Sequence, residues 1–285
     1  MPFSVTTAVE RSESHSWPLE YQSPQRGAPA RLDEPARLFQ CPFCRVKVFF
    51  APVDHFRYVL VPPAPAPPNP LYIPYWRLKG TIFTCEGTEI RARYIDGTAR
   101  ALECGALPAS LGVRPRALPL RFAAPGVEGL VARENRGARV ALAELEQAFC
   151  RATGLGMQDP LFLKAFVGDS SSVVAMPVYE HGGMLKDVMT GEALPRETVE
   201  ATWDRIGASE AGAAPKAVGF IPALCPVCGW NLSGEGDSEV VLCENCNSAW
   251  TSRGRDFVNV PLGVVGGGQG QGRKSGPFLP FWCIK

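Results

Sequence analysis

From Leu38 onward, apolar and polar positions alternate far more often than they recur every three or four residues, so the chain predicts strands rather than helices. Arg45 to Phe50 alternates directly behind a C-P-F-C turn, and His55 to Val61 makes a second strand-like run. P-P-A-P-A-P-P-N-P follows, and successive prolines forbid helix and remove ladder donors, which makes it a stiff spacer. It delivers the chain to the aromatic stretch L-Y-I-P-Y-W-R-L-K-G, Leu71 to Gly80. T-I-F-T-C, E-I-R-A-R-Y-I and L-P-L-R-F continue the β pattern between Glu-Gly, Asp-Gly and proline turns. In the middle one, Ile90, Ala92 and Tyr94 share one face while Glu89, Arg91 and Arg93 share the other, as in a sheet with one wet side.

The 3.6 period stands out once. A-R-V-A-L-A-E-L-E-Q-A-F-C-R-A-T-G places Val140, Leu142, Leu145, Ala148 and Phe149 on one side, predicting a helix over about 140–152 that Gly154 can end. Val173 to Tyr179 then reads as a strand, E-H-G-G as a turn and Met184 to Met189 as the returning strand. A short helix is expected over Arg196 to Ile206, followed by the linker G-A-S-E-A-G-A-A-P-K. Residues 1–37 show neither period and read as a disordered tail.

These elements predict a mainly β protein with minor α. Its expected parts are a knuckle at 38–62, a central β-rich domain at 71–210, a cysteine-bearing ribbon at 220–262, a Gly-rich linker at 263–276 and a terminal Trp strand at 277–285.

Cysteine spacing adds the chemistry. Cys225, Cys228, Cys243 and Cys246 form two C-x-x-C pairs, each able to turn both sulfurs inward at the tip of a tight turn, and four thiolates at this spacing suit a tetrahedral metal ion. Over residues 222–262 the sequence resembles the zinc-ribbon and rubredoxin-like families, with C-P-V-C-G as the shared knuckle. The resemblance implies structural Zn(2+). Iron is less favoured, because rubredoxin-like knuckles carry glycine after each second cysteine, whereas here Gly229 follows Cys228 but Asn247 follows Cys246. Cys41 and Cys44 form a third C-x-x-C, half of a second and weaker site, with Cys85, Cys104, His55 and Cys283 as candidate completing ligands.

The half-site has a counterpart. Ile73 to Lys79, I-P-Y-W-R-L-K, aligns with Leu279 to Lys285, L-P-F-W-C-I-K, and Phe56-x-x-Val59 follows its knuckle much as Phe257-x-x-Val260 follows Cys246. Knuckle, strand, spacer and Trp strand therefore recur, which predicts an internal repeat.

Other features narrow the function. A net charge of +1 supplies no global field for nucleic acid. Arg91, Arg93, Arg100, Arg114, Arg116 and Arg121, with Arg253 and Arg255, keep nucleic-acid binding as an alternative. Ser170 to Ser172 with His181 and Asp187 lack a nucleophile elbow, and G-G-G-Q-G-Q-G-R-K-S-G at 266–276 is interrupted by Arg273 where a phosphate loop needs an unbroken motif. No catalytic or cofactor-binding set is therefore assigned. Without a signal-peptide core or a long apolar run, the expectation is a cytoplasmic protein that is not inserted in a membrane, with reduced cysteines. Its expected role is that of a zinc-binding scaffold or accessory subunit acting through protein–protein interaction with a protein partner that the sequence does not name, or alternatively of a nucleic-acid-binding ribbon or a one-electron carrier.

Overall fold

The computed structural model describes residues 19–22, 29–32, 37–40, 45–51, 54–63, 65–86, 89–105, 107–123, 127–154, 163–195, 219–236 and 238–262. Its first strands are β1 (Leu19–Gln22), β2 (Pro29–Leu32), β3 (Leu38–Gln40), β4 (Lys47–Ala51), β5 (Phe56–Leu60), β6 (Leu71–Glu86) and β7 (Glu89–Arg100). A single helical turn, α1 (Arg114–Ala117), leads to β8 (Leu120–Phe122), β9 (Leu130–Val131) and helix α2 (Ala138–Thr153). The remainder is β10 (Leu163–His181), β11 (Met184–Asp187), β12 (Gly219–Pro222), β13 (Val240–Cys243), β14 (Ser248–Arg253) and β15 (Asp256–Val260). The protein is mainly β, as its alternation predicts.

One large sheet runs β2-β1-β8-β5-β10-β6-β7, with β11 beside β10 and β9 beside β6. β10 and β6 form its spine, paired antiparallel from Leu163↔Cys85 to Val178↔Leu71. The aromatic stretch and T-I-F-T-C, which read as separate segments, are this single strand β6. Gly80 lets it run through: a Cβ there would stand 2.4 Å from the Val167 carbonyl oxygen and 2.7 Å from the Phe166 ring. Within the stretch read as a tail, β1 and β2 pair as a hairpin and β1 joins β8 at Glu20↔Arg121. L-E-Y-Q alternates over only four residues, too few to stand alone, so the receiving sheet edge organises the hairpin. The helix expected at 196–206 and the segments 263–276 and 277–285 lie outside the described residues.

The main core gathers on one face of the sheet around Tyr58, Leu60, Ile73, Tyr75, Val174 and Met176. On the opposite face α2 covers Trp76, Leu78 and Ala99. Here the packed stripe is Ala138, Ala141, Leu142 and Leu145, while Val140 is exposed, which corrects the face expected from the sequence. Small residues decide it: Leu145 occupies the space above Gly97, where a Cβ would come within 2.5 Å of its methyl. The outer half of β7 also departs from expectation. Ile90 and Tyr94 are exposed as well as Arg91 and Arg93, because this end of the sheet extends past the layers that cover its inner half.

Two small sheets complete the fold, β12-β4-β3 and β13-β14-β15. β4 connects everything. Phe49 and Ala51 enter the core of the cysteine-bearing unit beside Trp250, whereas Phe50 enters the main core and stacks on Phe122. Arg37 adds a tie, its N–H donating to the Gly236 carbonyl and its guanidinium pairing with Glu239 at 2.7 Å.

Charge is also buried in the sheet. Arg77 makes a two-pronged pair with Asp96, both contacts 2.8 Å long, with its side chain only 4% exposed. Burial opposes ionisation of Asp96, but hydrogen bonding and attraction from Arg77 outweigh it and hold the carboxyl below its usual range. The native state thus favours the ionised form, so this stabilisation is present above the ordinary carboxylate range and is lost as pH falls through the depressed value. Asp96→Ala should cost about 3 kcal/mol in urea unfolding at neutral pH. Asp96→Asn should flatten the acid dependence of the urea midpoint, and an unchanged slope would exclude this pair as an acid-sensitive element.

Candidate metal centre

The segment after Pro222 turns sharply at Cys225 to Cys228. Gly229 N–H donates to the Cys225 carbonyl at 2.8 Å, and Cys225 N–H to that of Trp230 at 2.7 Å. Gly229 adopts a left-handed backbone with φ 71°, which lets the chain fold back under the sulfurs. A second turn closes the β13–β14 hairpin, where Cys243 pairs with Ser248 and Asn247 is left-handed at φ 53°. Asparagine tolerates this region better than most residues with a side chain. Asn247 therefore performs the turn that glycine performs in the other knuckle, and the Gly/Asn difference loses its force in discriminating zinc from iron.

The two turns bring all four Sγ atoms within 4.8 Å of one another. Cys225 and Cys246 are 3.6 Å apart, and Cys228 and Cys243 are 3.5 Å apart. A tetrahedral ion with metal–sulfur bonds of about 2.3 Å requires sulfurs about 3.8 Å apart, so the donor set fits such an ion with little rearrangement. Among the described residues this is the only group of three or more His, Cys, Asp or Glu arranged to hold a cation.

Electrostatics divides the four thiols. Desolvation opposes a Cys225 thiolate, but the N–H groups of Cys228 and Val227, with contacts from Cys246 and Ser248, prevail and bring its pKa down to about 6. The Asn245 side chain lowers Cys228. Ser248 favours the Cys246 thiolate, yet desolvation and the three neighbouring sulfurs push that thiol up to about 11. Four sulfurs this close shed their last protons only against a cation, so metal binding releases protons and acid reverses it.

Ser248 is the residue the spacing did not reveal. Trp250 Nε1–H donates to its hydroxyl at 2.8 Å; an indole nitrogen can only donate, so the Ser248 proton remains for Cys246 Sγ, 2.9 Å away. The sequence signal was present as the N-S-A-W that follows Cys246. Trp250 and Val241 lie in the core, whereas Trp230 is 59% exposed. The space beneath the hairpin is filled by Phe49 and Ile221, which the 38–51 segment and β12 bring in from outside the unit.

Cys41 and Cys44 lie outside the described residues. Their flanks are informative. One constant shift along the chain converts the pairs Leu38↔Phe49, Phe39↔Val48 and Gln40↔Lys47 into Val240↔Thr251, Val241↔Trp250 and Leu242↔Ala249. The same shift carries Cys41 to Cys243, Cys44 to Cys246, and Arg45, left-handed at φ 57°, to Asn247. Of the candidate completing ligands, Cys104 is buried in the main core, Cys85 lies on β6, His55 stands against Trp76, and Cys283 is outside the described residues.

The other sequence candidates disperse. Asp187 is buried and paired with Arg114, His181 lies opposite Met184 at the β10–β11 turn, and Ser172 is buried beside β5, so the three do not converge. Arg100 donates to the carbonyls of Cys104 and Gly105, and like Arg114 it is used inside the fold rather than on a basic surface. Among the described residues no helix is long and apolar enough to cross a membrane.

Ser248→Ala should weaken metal retention by about tenfold or more, measured by competition with a chelator, while the fold stays intact at saturating metal. Equal retention would show that the hydroxyl does not support the sulfurs.

No family model matches the chain, and no curated protein or solved structure matches it either.

Proposed function

We propose that this chain is a zinc-binding accessory or scaffold protein, with Cys225, Cys228, Cys243 and Cys246 holding a structural zinc ion in a zinc-ribbon-like unit. The observation that carries the reading is the approach of four sulfurs at tetrahedral spacing. When bound, the ion ties two turns whose shared core is small, and it supplies cohesion rather than reactivity, since four thiolates leave no open coordination position.

Binding of a protein partner is supported by what surrounds the knuckle. Val227 is 71% exposed, and Leu224, Trp230 and Leu242 are exposed beside it. Exposed tryptophan with aliphatic neighbours is the composition of an interface hot spot. The aromatic strand Leu71–Lys79 offers no docking surface: β7 and β10 pair with both its edges, and the main core and α2 cover its two faces. The apolar knuckle rim takes over that role. The commitment of Arg100 and Arg114 within the fold weighs against the nucleic-acid alternative.

Metal analysis with a visible spectrum tests the reading on protein purified without added metal. The expected outcome is a colourless protein with about one zinc per chain, lost in Cys243→Ser together with part of the thermal stability. About two zinc ions per chain would assign Cys41 and Cys44 to a second site completed by ligands elsewhere. Iron with thiolate charge-transfer colour would overturn the structural-zinc reading in favour of electron transfer.

A further inference from the structure

Where the β14–β15 hairpin of the cysteine unit faces the large sheet, a cleft of about 530 Å³ opens, within the range of small-molecule sites. Its floor is apolar. Leu78 contributes from β6, and the Phe166 ring lies across Gly80, where any Cβ would collide with it. The register of β10 slips between Gly168 and Ser170, and this bulge places Ser171 opposite Leu78. One wall is His55, standing edge-on to Trp76 at 4.7 Å with Nδ1 3.4 Å from Ser171 Oγ. The facing wall is Ser252, Arg253 and Gly254, at a turn that Gly254 makes with φ 65°.

The polar groups of this cleft do not balance. Asp54 is committed, accepting two hydrogen bonds from Arg57 and one from the His55 N–H, and Arg57 holds its carboxyl down to about 2. Glu239 is committed to Arg37, which also lies over the Phe56 ring. Both carboxylates of the cleft are thus paired with arginines, while uncommitted donors remain. The Arg253 guanidinium is exposed and has no partner among the described residues, and the hydroxyls of Ser170 and Ser252 line the same space. Uncommitted donors above an apolar floor suit an acceptor-rich charged group attached to a flat apolar body.

We propose that this cleft binds a small organic anion, a carboxylate or phosphate monoester on an apolar body, with Arg253 as the charge partner and Phe166 and Leu78 beneath the body. This goes beyond the structural-zinc reading and assigns the protein a ligand of its own. Because one wall belongs to the cysteine unit and the other to the large sheet, bound ligand would bridge the two.

Calorimetric titration of the full metal-loaded chain with phenyl phosphate and benzoate tests it, with inorganic phosphate and benzyl alcohol as the bare anion and the neutral body. Saturable binding of one aryl anion is expected, about tenfold or more tighter than either control, and whichever anion binds better identifies the charged group. Arg253→Gln should weaken binding about tenfold or more, while Arg255→Gln, next to the cleft but not lining it, should leave it unchanged. Both arginines are exposed, so neither variant threatens the fold, and unchanged melting temperatures check that. Absence of saturable binding by both aryl anions, undiminished binding in Arg253→Gln, or benzyl alcohol binding as well as the anions would overturn the proposal.

Discussion

The structure depends on the double burial of β4. In K-V-F-F-A, successive side chains point to opposite faces, and here neither face meets water: Phe49 and Ala51 belong to the core around the cysteines, Phe50 to that of the large sheet. A strand buried on both sides cannot slip by one residue, since both sets of side chains would be exchanged between differently shaped cores. β12 pairs with β4 from Gly219↔Ala51 to Pro222↔Val48 and leads straight into the first knuckle. The β3–β4 hairpin thus forms a layer beneath the cysteine unit, which explains how so short a unit buries Trp250 and Val241 completely enough to fix its hairpin.

The large sheet is held together in a different way. β6 and β10 pair over nearly their whole lengths, and the positions that interrupt ordinary alternation are glycines serving close approach. Gly80 admits the Phe166 ring and Gly97 admits Leu145. The bulge between Gly168 and Ser170 shifts the β10 register at the level where the cysteine unit comes near, and the cleft forms there. Strand irregularity and inter-unit contact coincide, so the cleft is a product of the assembled chain rather than of either part.

At the sulfur cluster, geometry and electrostatics make one demand. The turns bring four thiols so close that desolvation and the neighbouring sulfurs raise Cys246 while backbone N–H groups lower Cys225, and a cation resolves the conflict. Ser248 and Trp250 extend the arrangement inward, from sulfur to hydroxyl to indole to core. Outward, Cys228 is exposed beside Trp230 and Val227. The sulfur cluster therefore faces the core through Cys225 and Cys243 and solvent through Cys228, which sets it beside an accessible apolar rim.

Much of this was legible in the residues. Alternation determined the strands and the β class, the 3.6 period with Gly154 determined α2, and the paired C-x-x-C motifs determined which four thiols meet, because spacing of this kind acts through local turns. Local pattern could not say which face of α2 packs, since Gly97 and Trp76 choose it from another element, nor that Ile90 and Tyr94 would stay exposed, since coverage depends on where the other layers end. Nor could it separate Trp230, which stays exposed, from Trp250, which is buried, because Phe49 and Ile221 fill the space beneath the hairpin from distant parts of the chain. The cleft and the Ser248 relay likewise exist only after residues far apart in sequence, or turned by a hairpin, are brought together. Sequence by itself determined the periods, turns and ligand types, which are set by neighbouring residues; tertiary structure alone decided burial and convergence, because these are properties of the space between elements.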